Sequence, residues 1–358
     1  MKAVQKAFST DRNGYYLFLC LLAFTYAALS FLFRVAPSLA TTSSLMGSDK
    51  GYELDFAKMV PAKATFVAKF NAGKVLSIPG AVDLVIGKLE TDQQKRVAEF
   101  VQKTGVDLSR DIKYVFAFGG DDPAVMSGLF LGASLKEEQL VDFVAVKSGM
   151  KKLTMKDYMG FKVRFRDEKD PVAFAFLSDD LSIVAPPSVI ESVVDLKVGW
   201  DNSNLEKGNV ELAGIGALGR DEMILWAGAV VPDKVRKSSE KYHANLKKVR
   251  SIFISVIFEG ALKLEMTAWV DDPASVPGLA AFLEKGAAAA GKNDFFGNIL
   301  NLSNTLKVTR GKDTVRAELY CGLDTVAKLA ESLRDGIMAF SKPSGTASGK
   351  RKSSAGSH

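Results

Sequence analysis

Histidine and cysteine are scarce in this sequence, with two of each among 358 residues. Zinc and related centres normally recruit several His or Cys ligands, so we expect no such site. Cys20 falls in a hydrophobic run and Cys321 ends a predicted strand far along the chain, which excludes a disulfide framework. His243 lies on a charged helical stretch and is predicted to be a solvated surface imidazole. We therefore predict a fold stabilised by its core, with no metal, cofactor or disulfide.

Recognisable catalytic motifs are also missing: there is no Gly-x-Ser-x-Gly elbow and no His-Glu-x-x-His helix. The run Gly214-x-Gly216-x-x-Gly219 has the spacing of a dinucleotide-binding loop, but a strand follows where a helix should begin. We interpret it as a flexible loop. The run from Gly311 to Thr314 resembles the end of a phosphate-binding loop, and is predicted to be a hairpin turn. No catalytic residue is assigned from the sequence.

Aspartate pairs occur at three predicted turns, and three tryptophans are spread along the second half. The residues concerned are Asp121-Asp122, Asp179-Asp180, Asp271-Asp272, Trp200, Trp226 and Trp269. Aspartate favours turns and helix caps, so the acidic pairs are predicted to be structural, and calcium binding or glycosidase-like chemistry stays open. The tryptophans are predicted to belong to the core.

The charge is only mildly basic, at +6 from 47 basic and 41 acidic residues. A nucleic-acid binder usually concentrates cations on one face, and the dense run here is limited to 350–352 in the tail. We expect no nucleic-acid partner. The tail, 341–358, is rich in Ser, Gly, Lys and Arg, and is predicted to be disordered, with a lipid-binding role left open.

One long apolar run stands near the start of the chain. Residues 14–33 carry no charge, and a helix of that length spans about 30 Å, the thickness of a bilayer core. We predict a transmembrane anchor at 14–34 that contacts the lipid bilayer, with cleavage after Ala40 as the alternative. Cations at 1–13 slightly outnumber those that follow, which favours a cytoplasmic N-terminal segment and a periplasmic or otherwise extracytoplasmic folded head. Residues 35–58 are predicted to be a polar linker.

Short strands and capped helices alternate over the rest of the chain. Capping boxes at Ser134–Glu137 and Ser188–Glu191 predict helix starts, and Asp272 before Pro273 predicts another. Each half reads β-α-β-β-α-β followed by a further strand and helix, the second closing with a helix at Thr325–Phe340. The sequence predicts an α+β fold of tandem ferredoxin-like units, 59–200 and 201–340, with mainly antiparallel sheets.

The first unit carries a pattern of short motifs. Pro61-Ala62-x-Ala64 leads into an apolar strand, and Thr104-Gly105-x-Asp107-Leu108 precedes Asp111-Ile112 and a glycine turn. Over roughly residues 60–200 the chain resembles uncharacterised exported or membrane-anchored bacterial proteins of duplicated α+β build. The resemblance implies an exported, duplicated fold and no particular activity.

An anchor, a linker and a folded head without catalytic motifs favour a membrane-tethered, non-catalytic module that binds a protein partner in the cell envelope or supports an assembly. Two alternatives stay open. One is a hydrolase-type enzyme whose site is assembled only in three dimensions, and the other is a carrier of an apolar ligand between sheet and helices.

Overall fold

The computed structural model describes residues 55–76, 91–108, 110–121, 127–147, 153–165, 173–240, 243–258, 261–290 and 306–321. Within these ranges no helix is both long and apolar enough to cross a membrane. Outside them lie the predicted anchor at 14–34, all but the end of the linker, the closing helix Thr325–Phe340 and the tail at 341–358.

Twelve strands form one sheet in which every described pairing is antiparallel. They are β1 Phe66–Phe70, β2 Ile112–Gly119, β3 Ser127–Ala133, β4 Thr154–Tyr158, β5 Phe161–Phe165, β6 Ala173–Ser178, β7 Leu181–Ala185, β8 Met223–Val230, β9 Val249–Phe258, β10 Leu262–Val270, β11 Leu306–Arg310 and β12 Thr314–Cys321. Their order is β11-β12-β10-β9-β8-β1-β2-β3-β7-β6-β5-β4. The predicted α+β class with a mainly antiparallel sheet is confirmed.

Nine α-helices are described beside this sheet. They are α1 Phe56–Met59, α2 Ala72–Leu76, α3 Thr91–Thr104, α4 Glu137–Lys147, α5 Pro187–Val198, α6 Leu205–Gly208, α7 Val210–Gly216, α8 Asp233–Ser239 and α9 Val276–Ala290. Two short 3₁₀ turns, Ala244–Lys248 and Pro273–Ser275, complete the described helical structure.

The residue patterns explain where each strand lies in the sheet. Near one edge, β6 alternates buried Ala173, Ala175 and Leu177 with partly exposed neighbours, as expected for a strand with one covered face. In the centre, β8 is buried along most of its length on both faces. Its continuous apolar run, MILWAGAV, is therefore the signature of an interior strand.

The same strand order appears on both sides of the junction between β1 and β8. Going outward, β1, β2 and β3 are followed by the hairpin strands β7 and β6, while β8, β9 and β10 are followed by β12 and β11. In each half a helical connection separates the first two strands and another precedes the hairpin. The first half also carries an additional hairpin, β4 and β5, at the sheet edge.

This order differs from the ferredoxin-like units that the sequence predicts. A split βαβ unit places a third strand between the two strands that a helix connects. Here β1 and β2, which α2 and α3 connect, are direct antiparallel neighbours, and β8 of the other half occupies the second side of β1. The succession of the twelve described strands along the chain was predicted correctly, but it does not fix which strands pair. The predicted units 59–200 and 201–340 consequently share one sheet.

Helices cover the two faces of the sheet at different places. The front face carries Val67, Phe116 and Trp226, and α1, α5, α6 and α7 pack on it over the centre and the first half. On the back face, α3 and α4 enclose a small cluster beside β3, and α9 packs on β10, β11 and β12. Phe56 of α1 stacks on Phe116 at 5.1 Å between ring centroids, which fixes the start of the folded part against the central strands.

Two predicted helix boundaries need correction. The box at Ser134 does not start a helix, and α4 begins at Glu137 instead. The Glu137 carboxylate is paired with Arg164 and does not cap the start of the helix. The helix predicted from Asp233 to Val249 ends at Ser239, and β9 already begins at Val249. By contrast, α5 ends as predicted at Gly199, which takes the left-handed conformation (φ 76°) that favours glycine.

Candidate functional site

Four charged side chains form a row on the front face of β10 and β12. We call this set, Lys263, Glu265, Arg316 and Glu318, the ionic ladder. Glu265 lies directly opposite Glu318 on the neighbouring strand. Opposed residues of an antiparallel pair project on the same face at about 5 Å, so the two carboxylates converge.

Two cations bridge these carboxylates. The Arg316 guanidinium is 2.8 Å from a Glu265 oxygen and 2.9 Å from a Glu318 oxygen. The Lys263 ammonium is paired with Glu265 and lies 3.9 Å from Glu318. The side chains of Glu265 and Glu318 are 10% and 13% exposed, whereas that of Arg316 is 45% exposed. The carboxylates thus form the floor of the ladder and Arg316 its accessible rim.

The contacts within the ladder favour the ionised forms of Glu265 and Lys263. Burial alone raises the pKa of Glu265, but hydrogen bonds and charge from Lys263 and Arg316 outweigh this and hold the pKa below its usual range. The hydrogen bond to Glu265 in turn raises the pKa of Lys263. The Lys263 ammonium also lies 5.6 Å from the centre of the Tyr320 ring, a cation–π distance. A carboxylate held in this way is a poor proton donor near neutral pH.

A buried hydroxyl adjoins the ladder. Ser255 of β9 lies opposite Glu265, on the side away from Glu318, and is fully buried. Its Oγ has no hydrogen-bond partner among the described residues. An unpaired buried hydroxyl is costly, so this position departs from the usual rule for protein interiors.

The corresponding part of the first half is apolar. There Phe130 of β3 lies opposite Ile183 of β7, both fully buried and packed against α5. In the second half the equivalent strands place Thr267 opposite Arg316. Among the described residues, one half therefore carries an apolar core covered by α5, and the other carries charged side chains in the corresponding region. This difference marks the ladder as the candidate functional site.

Sequence reasoning missed the ladder because its residues are isolated charges within strands. In β12, with the sequence TVRAELYC, Arg316, Glu318 and Tyr320 alternate with Val315, Ala317 and Leu319. That alternation indicates one polar face. It does not indicate that Glu318 meets Glu265, which depends on the strand register.

His243, predicted to be a solvated surface imidazole, is partly exposed and also makes structural contacts. Its Nδ1 accepts a hydrogen bond from the Asn245 N–H at 3.3 Å, and its ring lies 4.6 Å from that of Phe282. The acidic turns are structural where they are described: Asp272 caps the turn at Ala274, and Asp180 pairs with Lys113 at 3.7 Å. Asp122 lies outside the described residues.

The glycine motif is a packed helix end and not the flexible loop predicted. Gly216 ends α7, where a Cβ would clash with the ring of Phe56, and a Cβ on Gly219 would clash with Trp226. These glycines therefore permit close packing on the central aromatic cluster. Thr314 begins β12, and Gly311 donates its N–H to the Thr314 carbonyl at 2.8 Å, so the predicted hairpin turn is confirmed.

The tryptophans separate into two kinds. Trp226 is 2% exposed and belongs to the front-face core, as predicted, and Trp269 packs partly buried against the same core. Trp200 is 77% exposed, so the prediction that it lies in the core is wrong. Its position directly after the glycine that ends α5 carries it beyond the helix–sheet interface.

A shallow recess of about 270 Å³ lies in the second half, lined by Asp233, Arg236, Lys237, Lys247, Lys248 and Asp271. Its walls are charged, which suits no apolar ligand. Arg236 is already occupied by Asp271 and by the Lys247 carbonyl at 3.0 Å. Among the described residues no cluster of three His, Cys, Asp or Glu could hold a metal ion.

Comparison with known proteins gives little further guidance. No protein-family model and no curated protein matches the chain. A solved structure, crystal form I of TP0453, aligns with 78% of this chain and 98% of its own, at 11% sequence identity and a TM-score of 0.43. A likeness at this level carries no argument about fold or function.

Proposed function

We propose that this chain is a membrane-tethered, non-catalytic binding or assembly module whose head works outside the cytoplasm, and that it contacts a protein partner through the ionic ladder and its rim. The observation that carries the proposal is the contrast between the halves. Phe130 and Ile183 close one half, while the same positions in the other are Thr267 and Arg316. A charged face on an apolar scaffold needs a reason beyond stability, because well-packed apolar residues are often as stabilising as a buried ion network.

The rim offers the side chains that protein interfaces favour. Arg316 is 45% exposed at its side chain and Tyr320 is 48% exposed, and both residue types are enriched among interface hot spots. On the adjacent strand, Lys307 and Thr309 are exposed and lie opposite Glu318 and Arg316. The accessible groups are therefore cationic and aromatic above a neutralised floor, which suits an acidic surface on the partner.

The convergence of Glu265 and Glu318 is also the arrangement that the hydrolase alternative would require. An acid catalyst would need one of them to hold a proton near neutral pH. The hydrogen bonds from Lys263 and Arg316 lower the pKa of Glu265, which opposes that role. The ion pairing favours binding over acid–base catalysis at this site.

Tethering rests on the uncharged run at 14–33, which lies outside the described residues. Its length fits one crossing of a bilayer, and the basic residues before it favour a cytoplasmic start. Membrane extraction tests this part of the proposal. A chain that carbonate releases from membranes, or a mature protein that starts at Thr41, would overturn it.

Photo-crosslinking tests the contact. The full chain is expressed in its native membrane with a photoreactive phenylalanine derivative in place of Tyr320, or in place of Met155 on β4 at the far edge of the sheet. Both positions are about half exposed. We expect a discrete ultraviolet-dependent adduct from position 320, and equal yields from both positions or no adduct at 320 would contradict the proposal.

Charge removal supplies the matched control. Arg316→Ala removes a rim cation from the front face and should abolish the adduct at 320. Arg310→Ala removes a similarly exposed cation, paired with Glu284 at 3.2 Å, from the opposite face of β11. The adduct should survive this second change, and its loss in both variants would indicate a general charge effect instead of a specific contact.

A further inference from the structure

Trp200 projects from an ordered loop, not from a frayed end. The backbone N–H of Trp200 donates to the Asp195 carbonyl at 2.9 Å. The Asp201 carboxylate accepts from the backbone N–H of Ser203 at 2.8 Å. The indole is nonetheless 77% exposed. Single exposed apolar residues are ordinary on protein surfaces. A largely exposed tryptophan in an ordered loop, however, buries little apolar area within the chain.

Two exposed valines flank this tryptophan along the chain. Val198 ends α5 and is 47% exposed, and Val210 begins α7 and is 70% exposed. We call Val198, Trp200 and Val210 the apolar rim. Exposed lysines at 197 and 207 accompany it, and the nearby Asp201 carboxylate is already hydrogen-bonded.

The start of the folded part is fastened beside this rim. The Ala62 N–H donates to the Ser203 carbonyl at 2.9 Å, and the Leu205 N–H donates to the Val60 carbonyl at 3.0 Å. The side chain of Asn209 donates to the Ala64 carbonyl at 2.9 Å. Segment 60–64 is therefore bound to residues 203–209, which lie between Trp200 and Val210 in the chain.

The chain that arrives at this point comes from the predicted anchor. Residues 35–54 separate the end of the anchor at 34 from the first described residue, and 20 residues reach at most about 70 Å when fully extended. On the proposed tethering, the bilayer surface is thus always within reach of the apolar rim, at a raised effective concentration. Tryptophan prefers this boundary because its ring is apolar and its N–H is a donor.

We infer that the apolar rim enters the headgroup region of the bilayer that carries the anchor, and so fixes the orientation of the head on the membrane. This inference rests on the proposed tethering. It commits to a lipid surface as the occupant because the rim adjoins the entry of the anchored chain. Contact at this end leaves the ionic ladder, on the outer strands of the second half, available to a partner.

The test uses the full chain with Cys20 and Cys321 replaced by Ser and reconstituted in phosphatidylcholine–phosphatidylglycerol vesicles containing a headgroup-nitroxide lipid. A polarity-sensitive fluorophore is attached at Val198→Cys, or at Tyr320→Cys as the control. We expect quenching and a shift to shorter wavelength at 198 and neither at 320. Trp200→Ser should reduce the quenching at 198, and it should leave the fold intact because the side chain is exposed.

The outcomes separate the two proposals. A chain that fails to float with vesicles refutes the tethering. A chain that floats but shows equal quenching at 198 and 320, or no effect of Trp200→Ser, refutes the lipid contact alone. A second copy as the occupant would give a shift to shorter wavelength without quenching by the nitroxide lipid, and that shift would disappear at one chain per vesicle. A protein partner as the occupant would shield position 198 from solvent only in native membranes. A second copy or a protein partner at the rim would each overturn the inference.

Discussion

Ala68 of β1 lies directly opposite Ala227 of β8, and both are buried at the centre of the sheet. The two strands are antiparallel. An approximate two-fold axis at this pair therefore relates the halves, and the strands follow in the same order outward from it on each side. Helix α2 contacts both β2 and β8, the strands of different halves that flank β1. The two halves are consequently joined through backbone hydrogen bonds and not through a flexible connection.

We therefore predict that the halves unfold together. Strands β1 and β8 each pair with a strand of their own half and with each other, so separating the halves would expose two interior strands. Calorimetry of the detergent-solubilised chain should show one transition for the folded part, with equal calorimetric and van't Hoff enthalpies. Two resolved transitions would show that the halves are independent domains.

The ionic ladder should make stability depend on acid. The folded-state pKa of Glu265 lies below its unfolded value, so the carboxylate stabilises the fold above about pH 4.3 and this contribution is lost as pH falls through the folded pKa. Glu265→Gln should cost about 1–2 kcal/mol at pH 7, because Arg316 and Lys263 lose a partner, although exposure of Arg316 screens part of the effect. Urea unfolding of the unmodified chain and of the Glu265→Gln variant, at pH 7 and pH 3, measures the acid dependence and the cost of the substitution.

A surface pair of similar chemistry provides the control for this prediction. Glu284 pairs with Arg310 at 3.2 Å, and both side chains are 49% exposed. Glu284→Gln should change stability by less than about 0.5 kcal/mol and should leave the acid dependence unchanged. An equal loss in both variants would mean that burial does not strengthen the ladder.

Ser255→Ala should maintain or raise stability. The Ser255 hydroxyl is fully buried and has no hydrogen-bond partner in the part of the chain that the structure describes, so its removal relieves a desolvation cost of about 1–3 kcal/mol, against a small loss of packing. Ser192→Ala is the comparison, since the exposed Ser192 hydroxyl donates to the Ser188 carbonyl at 3.0 Å and should matter little. Clear destabilisation by Ser255→Ala would show that the hydroxyl binds a group that the structure does not contain.

The sequence predicted local features better than pairings. Pro187 and Gly199 bound α5 correctly because each acts through its own backbone conformation. The hairpin turn at Gly311 was also predicted correctly, because its turn residues are consecutive in the chain. The neighbours of β1 were not predictable, because helical connections of this length allow either a crossover or a direct return, and nothing local to β1 distinguishes the two.

The same limit explains the errors at single residues. Trp200 and Trp226 are chemically identical, and only the second lies in a strand between covered faces. His243 was read as solvated because its neighbours along the chain are charged, yet its contact with Phe282 comes from a segment far along the chain. The convergence of Glu265 and Glu318 likewise depends on the register of two strands that are separated in sequence.

The glycines of α7 offer a matched pair of substitutions that separates packing from nucleotide binding. At Gly214 nothing lies within 4 Å of an added Cβ, and at Gly216 that atom would clash with the Phe56 ring. Gly214→Ala should raise the free energy of unfolding by about 0.5–1 kcal/mol through helix propensity, and Gly216→Ala should lower it by about 1–3 kcal/mol through overpacking. Phe56 also stacks on Phe116, so near-ultraviolet circular dichroism should change only in the second variant.

If these glycines instead formed a dinucleotide loop, both variants would retain stability and lose a thermal shift produced by NAD in the unmodified chain. Opposite signs in urea unfolding, with no thermal shift from NAD in any variant, are the result we expect.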